Sequence, residues 1–433
     1  MQLRTVDLAA ALGGSLEGPD VVVDGASQDS RAIAPGQLFV PLSGERDGHD
    51  FIAAARQGGA AAYLTTGRLE GGTAIVVDDT LVALQAAGRH ARSRLTSQVI
   101  GVTGSVGKTS VKDLLRAVLQ ERWATSASLR SFNNEIGVPL TLLDAPDGTE
   151  VVVVEMGARG IGHIAELCAI ALPTVGIVTR VAAVHTEVFD GLDEIAAAKG
   201  ELVEALPASG TAVLNAGDPR VAGMASRTVA TVLSYGEGGD VRGEDAVLGD
   251  DLRTRFRLVS PWGSQAIALS ARGLHQADNA LAAAAAGLAL GMDLGEVAAG
   301  LATAALSPWR MELSTAPSGA MVLNDAYNAN PTSVAAALES LLALPARRRV
   351  AVLGRMAELG ERESADHAAI GAQARALGIR VIAVAAPGYG GEDVDTVEQA
   401  VAALGELADG DAVLVKGSRV AGLERLAAAL LEP

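Results

Sequence analysis

A chain of 433 residues, 49% hydrophobic and 20% charged, has the length for about three domains and the composition of a folded globular protein. Its formal net charge of −17 disfavours a nucleic-acid binder, which needs a basic face, while local basic loops can still receive a polyanionic small molecule. The single cysteine, Cys168, allows no intrachain disulfide and fits a reducing compartment.

Residues 1–95 mix short strands with helices. The opening MQLRTVDLAAALGG has neither a long apolar core nor a cleavage signature, so no signal peptide is expected. SQDSR (27–31), PGQLFVPLSG (35–44) and ERDGHDFI (45–52) are loop-rich and set polar residues among apolar ones.

Residues 96–311 read differently. VIGV (99–102) is a short apolar run bounded by glycine, hence a buried strand. Val111, Leu114, Leu115, Val118 and Leu119 then form one helical face. VVVVEMG (151–157), TVGIVTRV (174–181) and TAVLNAG (211–217) repeat the strand signal with helical stretches between, which predicts a parallel sheet covered on both faces. DLRTRFRLVSPWGSQAIALSA (251–271) alternates and turns at PWG, as an antiparallel hairpin does. The longest apolar run, 280–292, is too short to span a bilayer, so no membrane insertion is expected and a soluble cytoplasmic protein is.

Residues 312–433 hold four more strands, in AMVLNDAY, RRRVAVLG, RVIAVA and DAVLVKGS, each followed by a helical segment. The fold class expected is α/β in three domains. They are a small N-terminal α/β domain, a central parallel-sheet domain and a C-terminal Rossmann-like, doubly wound domain. Asp325, Glu358 and Lys416 fall just past strand ends, where open α/β sheets bind ligands.

GVTGSVGKTS (101–110) departs from the strict phosphate-loop spacing, because Val102 stands where a glycine is usual. Its context supplies the confirmation: a strand enters and a helix leaves. Gly104 and Gly107 let the backbone N–H groups of Gly104 to Ser110, through Ser105 and Val106, turn onto an anion. Lys108 adds a point charge, and the Thr109 hydroxyl can ligate Mg²⁺ at the helix N-terminus. Glu155 closes a buried strand, which is costly for a carboxylate unless a cation meets it. It reads as a second Mg²⁺ ligand or as a capping or paired carboxylate. His185, in VAAVHTEVF, reads as structural or as a ligand. Lys199, on an amphipathic helix, is a solvated lysine or, if burial depresses its pKa, an amine able to add CO₂ and become an anionic carbamate. No Cys/His cluster has zinc spacing.

Together, GVTGSVGKTS, the strand-ending EMGA, the histidine of VHTEVF and the lysine of AAAKGE resemble the Mur ligases, in order and approximate spacing over nearly the whole chain. These are ATP-dependent amide-bond ligases of peptidoglycan precursor synthesis. LNDAYNANPTSVAAAL (323–338) is similar to the branch adding D-alanyl-D-alanine. RMAELGERESADH, VLVKGSR and DSRAIAPGQLFVPLSGERDGHDFI are similar to the same branch. The resemblance implies ATP, two Mg²⁺ ions, the substrates UDP-N-acetylmuramoyl-tripeptide and D-Ala-D-Ala, and a monomer. Thr109 and Glu155 would hold one Mg²⁺, and His185 with carbamylated Lys199 would serve the second. Asn279 would meet the adenine, Arg310 the γ-phosphate and Asp325 the ribose. Ser30, Arg31, Ser43 and Gly44 would face the uridine diphosphate, Asn133 and Asn134 the muramoyl-peptide, and Asn328, Asn330 and Lys416 the dipeptide. Independently of the resemblance, Asn330 can cap a helix whose first residue is Pro331. Arg355, Gln276 and Ser110 depart from the family's usual residues, and none of them is a postulated metal ligand. The rival readings are a sister ligase adding a single amino acid, a folylpolyglutamate synthase, a P-loop switch NTPase or an inactive scaffold.

Overall fold

The computed structural model describes residues 1–129, 131–183 and 189–432. Three α/β arrangements follow one another. In the first, a five-stranded sheet orders Ser15–Glu17, Ala74–Val76, Ala62–Thr65, Leu38–Phe39 and Ala26–Ser27. Its first pair is antiparallel and the rest parallel. Gln2–Arg4 pairs separately with Val22–Asp24.

The second is a six-stranded, fully parallel sheet in the order Thr231–Tyr235, Thr211–Asn215, Val175–Val178, Gln98–Thr103, Val151–Glu155, Thr125–Ala127. Val151 to Val154 are all buried. A parallel strand covered on both faces needs such an unbroken apolar run. The expected hairpin forms from Arg253–Ser260 and Gly263–Arg272, and Arg242–Leu248 adds a third antiparallel strand that the sequence reading did not contain. The alanine-rich helix Gln276–Ala289 packs on the helix Lys108–Gln120, and small side chains permit that approach.

The third sheet orders Glu312–Thr315, Met321–Asn324, Asp411–Lys416, Arg348–Leu353, Arg380–Val384 and Glu392–Val394. The four expected strands form its parallel centre. The two unexpected ones are its short edges, Glu312–Thr315 being antiparallel.

The hydrophobic cores do not respect all of these divisions. One continuous core runs from Leu8 and Leu64 through Leu84 and Ala87 to Leu142, Val152 and Ile164. It joins the N-terminal sheet to one face of the central sheet through helix Thr80–Arg94, which crosses helix Gly137–Leu143 at Gly88. A Cβ at Gly88 would lie 2.6 Å from that of Pro139. Asp144 accepts the Ala26 N–H at 2.9 Å across the same boundary. The C-terminal sheet has a core on each of its two faces, one of which also takes in Leu252 and Met311, with Leu248 packed against it, from the central region.

Candidate active site

The phosphate loop is built as its glycines demand. Gly104 has φ 142° and Gly107 φ 86°, in the region where side chains are strained. A Cβ on Gly104 would lie 1.9 Å from Thr179 Oγ1, and one on Gly107 2.5 Å from Asn279 Oδ1. The Thr179 hydroxyl donates to Val106 O at 2.6 Å, and Ser105 N–H donates to Arg180 O at 2.7 Å. The neighbouring strand end therefore moulds the loop. Helix Lys108–Gln120 leaves it, with its N-terminal N–H groups and dipole aimed at whatever the loop holds.

Lys108 Nζ donates to Gly104 O at 2.8 Å. Desolvation pulls its pKa below the ordinary lysine value. Glu155 and Glu358 push it back up and Arg310 pushes it down, so all three charges share its surroundings. Thr109 Oγ1 donates to Glu155 Oε2 at 2.8 Å, and Asn133 Nδ2 donates to Glu155 Oε1 at 2.8 Å. Glu155 itself is 1% exposed, and its backbone N–H donates to Ser128 Oγ at 3.0 Å. A buried carboxylate met by neutral donors suits a hard cation that completes its shell with phosphate oxygens and water. Among the described residues there is no cluster of three or more His, Cys, Asp or Glu able to hold a metal.

Lys199, on helix Leu192–Glu204, is 1% exposed, so it is not a solvated lysine. Burial first, then the like charge of Lys108, lowers its pKa to about 7, against the pull of Glu201. His185 lies outside the described residues.

The opposite wall comes from the C-terminal third. Lys416, at its strand end and 2% exposed, donates to Asp325 Oδ2 and to Asn328 O, the latter at 2.9 Å. Asp325 Oδ1 takes the Met311 N–H at 3.1 Å. Asn330 caps helix Pro331–Ala343 as its local pattern predicts, accepting Ser333 N–H at 2.9 Å. Arg310 sits between Trp309 and Met311, both with positive φ. Its guanidinium stacks 4.4 Å over the Tyr327 ring.

These walls enclose a cleft of about 590 Å³. Ser105 to Ser110, Asn133, Asn134, Glu155, Asn279, Arg310, Asp325, Asn328, Asn330 and Lys416 line it. Ser30, Arg31, Ser43, Gly44, Gly104 and Lys199 do not; Gln28 is the N-terminal residue that reaches it, and Arg31 pairs with Asp29 on the surface. Asn134 is partly committed, its Oδ1 accepting Gly137 N–H at 2.9 Å. Asn279 donates to Gln276 at 2.8 Å. Arg355 forms a two-pronged pair with Glu363 and does not line the cleft.

Sequence reasoning missed Tyr327, Ser131, Ser128, Thr179, His275 and Asp113. Asp113 accepts the Ser307 N–H at 2.7 Å and so ties the phosphate-loop helix to the linker carrying Arg310. Tyr327 falls within LNDAYNANPTSVAAAL (323–338), and that is its only signal in the sequence.

Comparison with known proteins agrees with this geometry. The Mur ligase middle-domain model matches residues 102–287, and the model described as Mur ligase, glutamate ligase domain, matches residues 309–419. The chain is 39% identical to the UDP-N-acetylmuramoyl-tripeptide--D-alanyl-D-alanine ligase of Mycobacterium tuberculosis (strain ATCC 25618 / H37Rv), over 93% of this chain and 91% of that protein. It is similar to the crystal structure of MurF from Acinetobacter baumannii, with TM-score 0.90, 30% identity and coverage of 100% and 99% of the two chains. The MurF ligase of Thermotoga maritima in complex with ADP matches with TM-score 0.81 at 29% identity, covering 93% of this chain and 96% of that one.

Proposed function

The chain belongs to the Mur ligase family, and from that premise we propose how its cleft joins D-alanyl-D-alanine to UDP-N-acetylmuramoyl-tripeptide at the expense of ATP. The product is the pentapeptide precursor of peptidoglycan, with ADP and phosphate. The carrying observation is that one cleft is lined both by the phosphate loop with Lys108 and by the Asp325–Asn330 loop with Lys416.

A carboxylate does not form an amide in water, because oxide is a poor leaving group. Transfer of the γ-phosphoryl group to the tripeptide carboxylate gives an acyl phosphate. The dipeptide's neutral amine then attacks the carbonyl, and phosphate leaves. In this reading the loop N–H groups and Lys108 hold the triphosphate, and Arg310 faces the transferring phosphoryl. Such work is positional and electrostatic. Thr109 and Glu155 would hold a Mg²⁺ ion, which would supply charge neutralisation of the phosphates. His185 and Lys199 are assigned to a second Mg²⁺. The depressed pKa of Lys199 supports carbamate formation, in which its neutral amine adds CO₂ and releases a proton. Asn279 is assigned to adenine and Asp325 to ribose. Asn328, Asn330 and Lys416 are assigned to the dipeptide, with the Lys416–Asp325 pair opening as ligands enter. Ser30, Arg31, Ser43 and Gly44 are assigned to the uridine diphosphate and Asn133 and Asn134 to the muramoyl-peptide; Asn133 also steadies Glu155.

We divide the chain into a UDP-substrate domain at 1–95, an ATP-binding domain at 96–311 and a dipeptide-binding domain at 312–433. No helix among the described residues is long and apolar enough to cross a membrane. We read the protein as a cytoplasmic monomer.

The test is phosphate release from ATP with the UDP-linked tripeptide, with and without D-Ala-D-Ala, and with single amino acids as rival amines. Release requiring both partners, with a pentapeptide by mass, is the expected result. Release without the acceptor would indicate a switch ATPase, and release with a single amino acid a sister ligase.

A further inference from the structure

We propose that Tyr327 is a positioning residue that ties the placement of Arg310 to closure of the cleft. The inference rests on the reading that Arg310 faces the transferring phosphoryl group.

Three contacts of one side chain and its backbone carry it. The ring of Tyr327 lies 4.4 Å beneath the Arg310 guanidinium. Its hydroxyl shares a hydrogen bond with Ser131 Oγ, from the central region, across 196 positions of sequence. Its N–H donates to Trp309 O at 3.2 Å, which fixes the residue before Arg310 against the same loop. Arg310 Nε is buried and has no hydrogen-bond partner among the described residues. The guanidinium is therefore oriented chiefly by the aromatic face below it, and that face is oriented by a bond to the opposite wall.

Ser131 is well placed to report on the other side of the reaction. It lies two residues before Asn133, which holds Glu155, which in turn holds Thr109 of the phosphate loop. Tyr327 lies two residues after Asp325 and one before Asn328, both of which engage Lys416. The Ser131–Tyr327 bond thus joins the loop that steadies the phosphate side to the loop assigned to the dipeptide. When the walls part, the bond breaks and Arg310 loses the platform that aims it. Phosphoryl transfer is then favoured only in the closed cleft, from which water is excluded and in which the acyl phosphate meets an amine rather than hydrolysis.

Tyr327→Phe keeps the ring and removes the bridge. Ser131→Ala removes the bridge from the other side. Tyr327→Leu removes ring and bridge together. All are measured beside the unaltered enzyme for kcat, for KM of ATP and of D-Ala-D-Ala, for phosphate released per pentapeptide formed, and for Tm. We expect Tyr327→Phe and Ser131→Ala each to lower kcat about tenfold, with KM for ATP little changed. Their double variant should be no worse than either alone, because both delete one bond. Phosphate released per pentapeptide should rise above one. Tyr327→Leu should cost about a further tenfold, and combining it with Arg310→Ala should add little beyond Arg310→Ala alone.

Additive losses in the Tyr327→Phe, Ser131→Ala pair would overturn the proposal, as would unchanged kcat in both. So would losses that follow a fall in Tm while the phosphate-to-product ratio stays at one, since they would mark a merely structural contact. Failure of the underlying activity reading is distinguishable, because the unaltered enzyme would then make no pentapeptide.

Discussion

Two residues show how far a side chain's chemistry is set by its surroundings. Lys199 reads in the sequence as a solvated lysine on an amphipathic helix or as a buried amine, and tertiary packing decides for burial. Its pKa of about 7 lies below the unfolded value of 10.5, so between those pH values the unfolded chain binds more protons. This group therefore makes stability rise with pH across that window, and the penalty for burying it is complete below pH 7. Lys199→Met should flatten the pH slope of the urea midpoint between pH 7 and 10; an unchanged slope would contradict the assigned burial. If the carbamate forms, ¹³C-bicarbonate should give a carbamate resonance that Lys199→Met lacks and that weakens near pH 6, where about a tenth of the amine is neutral. At Gly104 the argument is steric. An alanine there would drive its Cβ into the Thr179 hydroxyl and break the bond that shapes the loop at Val106. We expect Gly104→Ala to cost about a hundredfold in kcat/KM for ATP while Tm falls only modestly. Near-normal ATP kinetics would show that the loop tolerates a different path.

Among the elements, those with local causes were legible and those with remote causes were not. The strand–loop–helix of the phosphate site, the parallel strands and the hairpin at Pro261 and Trp262 all announce themselves by period and punctuation. So does the helix opened by Asn330 and Pro331, whose cap lies within three residues of its partner. Replacing Asn330 with alanine should cost about 1 kcal/mol of stability from the lost cap alone, read as a lower Tm. A rise in KM for D-Ala-D-Ala at temperatures well below Tm would support its second assignment, to the dipeptide. The short edge strands escaped because three or four residues carry no period. The pairings Lys416 with Asp325 and Tyr327 with Ser131 escaped because their partners lie 91 and 196 positions away. Asn134 was legible as a site residue only through family likeness, and the bonds its Oδ1 accepts from the Ile136 and Gly137 N–H groups became visible only in the structure.

At the scale of the molecule, three regions of sequence do not make three equally separate bodies. The N-terminal and central regions share one extensive core, whereas the C-terminal sheet's two cores draw, among the described residues, only Leu248, Leu252 and Met311 from outside it. Calorimetry should therefore show two unfolding transitions, the first 311 residues melting together. A third transition belonging to residues 1–95 would refute this reading, because a shared core leaves that region no separate cooperative unit.

The shared core also bears on how such a protein could be rebuilt. The third assigned to the incoming amine is reached by a short linker whose start is held by Asp113 and whose end is held by Asp325. A chimera exchanged near Pro308 would carry a foreign C-terminal third onto this ATP site with one apolar seam to mend, where Leu248 and Leu252 join that third's core. A chimera exchanged near residue 95 would have to recut the packing of Gly88 against Pro139. On the proposed division of the chain, selectivity for the incoming amine is in that sense portable in this scaffold, while selectivity for the nucleotide-linked acceptor is welded to the engine that activates it.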